Sequence, residues 1–255
     1  MIMIKYILQI SLSSKIKQIF YRNKYALLIA IFCFSPSLLK AQYGIKGGVT
    51  ASTFYFPGNL PIPYDGYDID LRPYLGYDAG LVQTNPQKPL LSPHIYVLRR
   101  SALSNRWGFQ SELGFSQRGV DFSYSKYENI IYKVKISYLE IPLSLSYQYL
   151  QKEKLSSHFY FGGYGGYKIN GIKKVAFYNK KAYKTKLNSV NNFDFGIHLG
   201  TDFRYRINEH FLLFDIRLFL GITDIFTIPE GWTKIYYDSH QTKYTGINVS
   251  MGYEL

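Results

Sequence analysis

From residue 192 to residue 207 the chain alternates without a break. Phe193, Phe195, Ile197, Leu199, Phe203, Tyr205 and Ile207 hold the odd positions, with Thr201 among them. Asp194, Gly196, His198, Gly200, Asp202, Arg204 and Arg206 hold the even ones. A period of two marks a β-strand whose faces meet different surroundings. Here one face is aromatic and aliphatic, and the other is charged or glycine. The run exceeds the roughly five or six residues of an ordinary globular strand.

The pattern recurs along the chain. Leu139, Ile141, Leu143, Leu145, Tyr147 and Tyr149 oppose Glu140, Pro142, Ser144, Ser146 and Gln148. Trp107, Phe109, Leu113 and Phe115 oppose Gln110, Glu112, Gly114, Ser116 and Arg118. Similar alternation covers 211–223, with Asp215 and Arg217 on the polar face, and 243–255, with Asn248, Ser250 and Glu254 there. Weaker segments at 43–56, 74–84 and 158–169 bring the expected strands to eight.

Composition narrows what such strands build. Of the 255 residues, 18% are aromatic, with 26 Tyr against 18 Phe, a bias suited to membrane interfaces. A single cysteine excludes a disulfide framework and any Cys-clustered metal site. Of the +13 net charge, six units come from the first 41 residues, which hold no Asp or Glu; +7 remains on 42–255. Those 41 residues read as a signal peptide, with a basic start, an apolar stretch from Ala26 to Phe34, and a cleavage site near Ala41. Phe32 before Cys33 fits a lipidation site badly.

After residue 42 no apolar run approaches the ~20 residues of a spanning helix, so a membrane-embedded mature chain can only be a closed β-barrel. The expected fold is all-β, an eight-stranded antiparallel up-and-down transmembrane β-barrel over 42–255. Connections 57–73, 119–131, 170–191 and 224–242 are long and should face outward; 150–157 and 208–210 are short and should face the periplasm. The segment 85–106 breaks this rule. It is either an elaborate turn, or the strand boundaries around Ile95–Leu103 lie elsewhere.

Tyr138-Leu139-Glu140-Ile141-Pro142-Leu143 resembles the YLEIPL strand of the PorT-like outer-membrane β-barrel proteins. Tyr43-Gly44-Ile45-Lys46-Gly47-Gly48-Val49 resembles their opening strand, and Phe109–Gly119 and Phe193-Asp194-Phe195-Gly196 resemble later ones. The resemblance covers roughly 42–255 and implies an outer-membrane location and an eight-stranded barrel. The family's namesake serves type IX protein secretion, a role that membership alone does not transfer. Leu255 departs from the usual terminal Phe.

The polar faces hold the candidate chemistry. Asp194, His198 and Asp202 lie on one strand face, but residues four apart are about 13 Å apart, too far for a relay. They are expected instead in a lumen charge network with Glu112, Arg118, Glu140, Arg204, Asp215 and Arg217. Glu112 is expected to pair with Arg118, Glu140 with Arg118 or Arg217, and Asp202 and Arg204 to face Asp215 and Arg217. His94, His158, His210 and His240 are read as lying at turns or strand ends. No spacing marks a catalytic, metal or cofactor-binding set, and no cofactor is expected.

Lys173, Lys174, Lys180, Lys181, Lys184 and Lys186 form a basic outer loop with no acid. Outer-membrane lipid, lipopolysaccharide and an envelope protein are its candidate partners, with barrel assembly machinery acting during insertion. Nucleic acid does not suit an exported barrel. The expected function is a non-enzymatic structural or docking component of the outer membrane, to which the resemblance adds a link to type IX protein secretion. The alternatives are a narrow channel or a barrel enzyme acting on lipid or peptide.

Overall fold

The computed structural model describes residues 41–55, 88–123, 130–177, 183–187, 190–226 and 242–255. The expected signal peptide 1–41, apart from Ala41, and the expected strand at 74–84 lie outside these residues. So do the whole connection 57–73 and most of 224–242.

Alternation becomes pairing as follows. Strands β1 (Ala41–Tyr55), β2 (Lys88–Ala102), β3 (Trp107–Ser123), β4 (Ile130–Gln151) and β5 (Leu155–Phe177) pair antiparallel in chain order. A four-residue β6 (Tyr183–Lys186) turns back on the outer part of β5. Strand β7 (Phe193–Ile207) takes up the rest of that edge, followed by β8 (His210–Gly221) and β9 (Lys243–Glu254). Finally β9 pairs with β1, Val249 opposite Val49, and closes an eight-stranded barrel with no free edge in its wall. Closure gives every wall strand two partners, as backbone polar groups in lipid require.

The second strand is β2, Lys88–Ala102, so of the two readings of 85–106 it is the strand boundaries that lie elsewhere. This removes the topological exception at 85–106. Strands β2 and β3 join through the tight turn 103–106, where the Leu103 amide donates to the Trp107 carbonyl at 2.8 Å. That turn shares an end with the first residue of β1, the last residue of β9 and the turns at 152–154 and 208–209, the end that such barrels keep in the periplasm. Asn208 takes the left-handed backbone conformation there, with φ of 57°, which Asn tolerates at turns.

The two faces follow the alternation. Along β7, Phe193, Phe195, Ile197 and Leu199 are about half exposed, while Asp194, Gly196, His198 and Gly200 are buried. The outward apolar band of β4 runs from Leu139 to Tyr149 and gives way above to Ser137, Lys135 and Lys133. That band is the length a tilted strand needs to cross a bilayer. Trp107 and Tyr147, with ring centroids 5.1 Å apart, mark its periplasmic rim; Tyr167 and Phe193, 5.4 Å apart, mark its outer rim. With 22 and 23 residues, β4 and β5 continue well beyond the outer rim.

Inside, tyrosines lie over glycines on neighbouring strands. Gly196 pairs with Tyr164 and Gly200 with Tyr160. A Cβ at either glycine would fall within 2.4–2.5 Å of the tyrosine ring. Glycine is therefore needed here so that a ring can lie flat across a narrow lumen.

Candidate functional site

Each even-numbered position of β7 projects inward at a different height, so the lumen is a stack of layers. Near the periplasmic mouth, Asp202 accepts from Arg100 at 2.8 Å and contacts His158 Nδ1 at 2.9 Å. Glu254 bridges Arg100, at 3.4 Å, and Arg204. In the middle layer Glu112 binds Lys46 at 3.0 Å together with Arg217 and Gln110. Asp215 lies 3.2 Å from Lys46 and accepts from the Tyr160 hydroxyl at 2.6 Å. Above it, Arg118 joins Glu140 to Asp194, and Glu140 also accepts from Tyr96 at 2.6 Å.

All nine residues expected in the lumen are buried, but their partners differ from those read along the chain. Glu112 does not meet Arg118, since six strand residues span about 20 Å; it meets Lys46 and Arg217 from other strands. Glu140 does meet Arg118. Asp202 stands directly opposite Asp215, yet Arg204 faces Leu213 and Arg217 faces Gly200. Asp202 takes its cation, Arg100, from across the barrel, and Asp215 takes Lys46 from two strands away. Lys46, Arg100, Glu254, Tyr96 and Tyr160 were not singled out in the sequence. Lys46 and Glu254 sat on polar faces already visible, whereas Arg100 lay in a segment read as a connection. His94 and His158 stand within strands, facing inward, and not at turns.

One contact in this network has the form of a catalytic dyad. Ser144 Oγ lies 2.7 Å from His198 Nε2. Among the described residues His198 Nδ1 has no hydrogen-bond partner that would orient the ring as a base. Both residues are at most 4% exposed, which leaves a substrate no approach. On the facing wall His94 bridges Thr50 at 2.9 Å and Ser250 at 2.8 Å. Asp194, His198 and Asp202 sit in three separate layers and form no relay. Among the described residues no group of three or more His, Cys, Asp or Glu is placed to hold a metal ion.

The lumen is covered at its outer end. Phe54, Val134, Ile136, Phe219 and Tyr244 pack with Leu187, Val190 and Ile225, which come from the segments after β6 and β8. Those two segments are tied together, Asn191 donating from its backbone to Ile225 and from its side chain to Asp224. At the periplasmic end the lumen opens into shallow cavities of about 290 and 600 Å³ that share Gln42, Gln148 and Arg204.

The described part of the lysine-rich outer segment is largely strand. Lys173 lies in β5 and is buried inside the barrel extension. Lys174 faces outward, as do Lys184 and Lys186 on β6, and all three are exposed. Lys180 and Lys181 lie outside the described residues. The register aligns Lys133 of β4 with Lys174 of β5 and Lys184 of β6. One step nearer the membrane, Lys135, Ile172 and Lys186 form the next row.

The fold resembles solved outer-membrane barrels. The Ail attachment invasion locus protein of Yersinia pestis, solved with the heparin analogue sucrose octasulfate, is 11% identical, with a TM-score of 0.39 over 85% of this chain and all of its own. OprG of Pseudomonas aeruginosa is 12% identical, with a TM-score of 0.39 over 86% of this chain and 97% of its own. Neisserial surface protein A is 9% identical, with a TM-score of 0.38 over 84% and 97%. Likenesses at this level concern the fold and carry no argument about ligands. No curated protein matches the sequence. The family model described as outer membrane protein beta-barrel domain matches residues 34–227. With three quarters of its length matched and its strands closed into a barrel, the chain belongs to the outer membrane protein beta-barrel domain family.

Proposed function

We propose that this protein is a non-enzymatic, non-conducting outer-membrane barrel that serves as a structural or docking component of the envelope through its outer end. One observation carries the reading: above its shallow periplasmic mouth the lumen is filled by side chains and closed at its outer end. Charged pairs and tyrosines occupy its lower and middle layers, and an apolar cluster covers its outer mouth. An eight-stranded barrel has room for its own side chains and little else. The same filling argues against the narrow channel, and the enclosed Ser144–His198 pair argues against an enzyme acting on lipid or peptide. Purified protein in planar lipid bilayers should show no conductance steps at ±100 mV (about 2.3 kcal/mol per charge moved). Regular steps would overturn the reading.

The finer assignment, to the PorT-like group with a part in type IX protein secretion, is proposed on the YLEIPL strand and the opening Gly44-Ile45-Lys46-Gly47 run. Deleting the gene in a host with that secretion system should lower the export of its cargo. Undiminished export would reject the link.

A further inference from the structure

We infer that the lysine ladder on the outward face of β4, β5 and β6 is a binding site for the phosphate groups of lipid A in the outer leaflet. The inference deepens the reading of the outer end as the working surface and names its partner.

Four observations carry it. The first is position. The ladder stands on the same outward face as the lipid-facing band, directly above its rim at Leu139, Tyr167 and Phe193. Lys135 is four residues along β4 from Leu139, a path of about 13 Å, and less in height because the strand is tilted. That is where head-group phosphates sit relative to acyl chains, within reach of a flexible lysine stem.

The second is charge. Five ammonium groups, Lys133, Lys135, Lys174, Lys184 and Lys186, share this face with one carboxylate, Asp121. Asp121 is already bound to Lys133 at 2.6 Å. Five minus one leaves four positive charges on the described part of the patch.

The third is register. Lys174 stands beside Lys133 on one neighbouring strand and beside Lys184 on the other. Adjacent strands are about 4.8 Å apart. Like charges directly opposite each other destabilise a sheet, and anions laid across the ladder would remove that repulsion.

The fourth is the apolar step at the foot of the ladder. Ile172, in the row of Lys135 and Lys186, is 40% exposed, and Ile169, at the register shift of β5 just below it, is 56% exposed. Such residues are unfavourable in open water, but they suit a surface where acyl chains end and phosphates begin.

The test uses the full-length barrel in phosphatidylcholine nanodiscs doped with bis-phosphorylated lipid A. Co-purification of lipid A would be read by mass spectrometry, and affinity by titration. The variant Lys135→Gln/Lys174→Gln/Lys184→Gln/Lys186→Gln should weaken binding at least about tenfold, since a single lysine near an anionic surface is worth about fivefold. Removing charge from the opposite end, with Lys152→Gln/Lys154→Gln/Arg206→Gln, should leave binding unchanged. Dephosphorylated lipid A and phosphatidylglycerol should both bind more weakly than lipid A. Equal loss in the two variants, or equal binding of the dephosphorylated lipid or of phosphatidylglycerol, would overturn the assignment. Gel mobility without boiling confirms that each variant is folded before it is scored. Conductance tests the closed lumen separately, so a failure here is distinguishable from a failure of that reading.

Discussion

Replacing Arg118 with methionine should be among the most damaging changes available in the lumen. The guanidinium is 2% exposed and is shared by two carboxylates, Glu140 and Asp194, the latter at 2.8 Å. Its Cζ also lies 4.3 Å from the ring centres of Tyr164 and Phe219. Methionine fills much of the same volume but carries no charge. Glu140 would keep the Tyr96 hydroxyl at 2.6 Å, and Asp194 the Thr223 hydroxyl at 3.0 Å. Hydroxyls satisfy lone pairs without neutralising charge, so two carboxylates would share one enclosed space. Stranding a single buried charge costs about 3–5 kcal/mol, and losing the cation–π contacts adds about 1 kcal/mol. The triple variant Arg118→Met/Glu140→Gln/Asp194→Asn removes the whole group and should return to within about 1–2 kcal/mol of the wild type. Urea unfolding in lipid vesicles, followed by gel mobility without boiling, measures both. The reasoning fails if Arg118→Met unfolds at the wild-type urea concentration, or if the triple variant is no better than the single one.

Other consequences can be checked on the same preparation. Unboiled protein should migrate apart from boiled protein, as a closed barrel resists cold detergent; identical mobility would contradict closure. Leu199→Arg and Val249→Arg, on the outward face, should each cost about 2–4 kcal/mol near the bilayer midplane; insertion as efficient as the wild type would show that these positions do not face lipid. Gly200→Val should cost about 1–3 kcal/mol by overpacking, because the Tyr160 ring lies 2.5 Å from where its Cβ would stand; unchanged stability would mean the ring is free to move aside.

Faces were legible in the sequence wherever one side of a strand was apolar and the other polar. Strand β7 is the clearest case, since each residue it turns outward or inward could be named from its position. Strand β2 was misplaced for an identifiable reason. Pro89 and Pro93 interrupt it, its register with β3 shifts between Pro89 and His94, and Leu90 and Leu98 place apolar residues on the inward side. Proline and two apolar faces both argue against a half-buried strand. Partner choice was less legible still. Alternation fixes which way a side chain points but not its height or its bearing around the barrel axis. Glu112 and Arg217 are 105 residues apart and meet only because the wall closes. The lysine segment was visible as composition, but its division into buried Lys173 and exposed Lys174 follows from the extension of β5 past the membrane.

The seam between β1 and β9 constrains how this barrel can be made. Val49 finds Val249 only after the 199 residues between them have been placed. Closing so long a loop is entropically slow, and topologies dominated by distant pairings fold slowly. Until the last strand arrives, β1 presents a row of unpaired amides and carbonyls, and β8 presents another. Each is a template for a wrong partner. The newborn chain is therefore committed at its first strand and completed only at its last dozen residues. Its safe passage across the periplasm depends on whatever shields those two edges meanwhile. Loss of the final strand would not shorten the barrel; it would leave an open sheet with two adhesive sides.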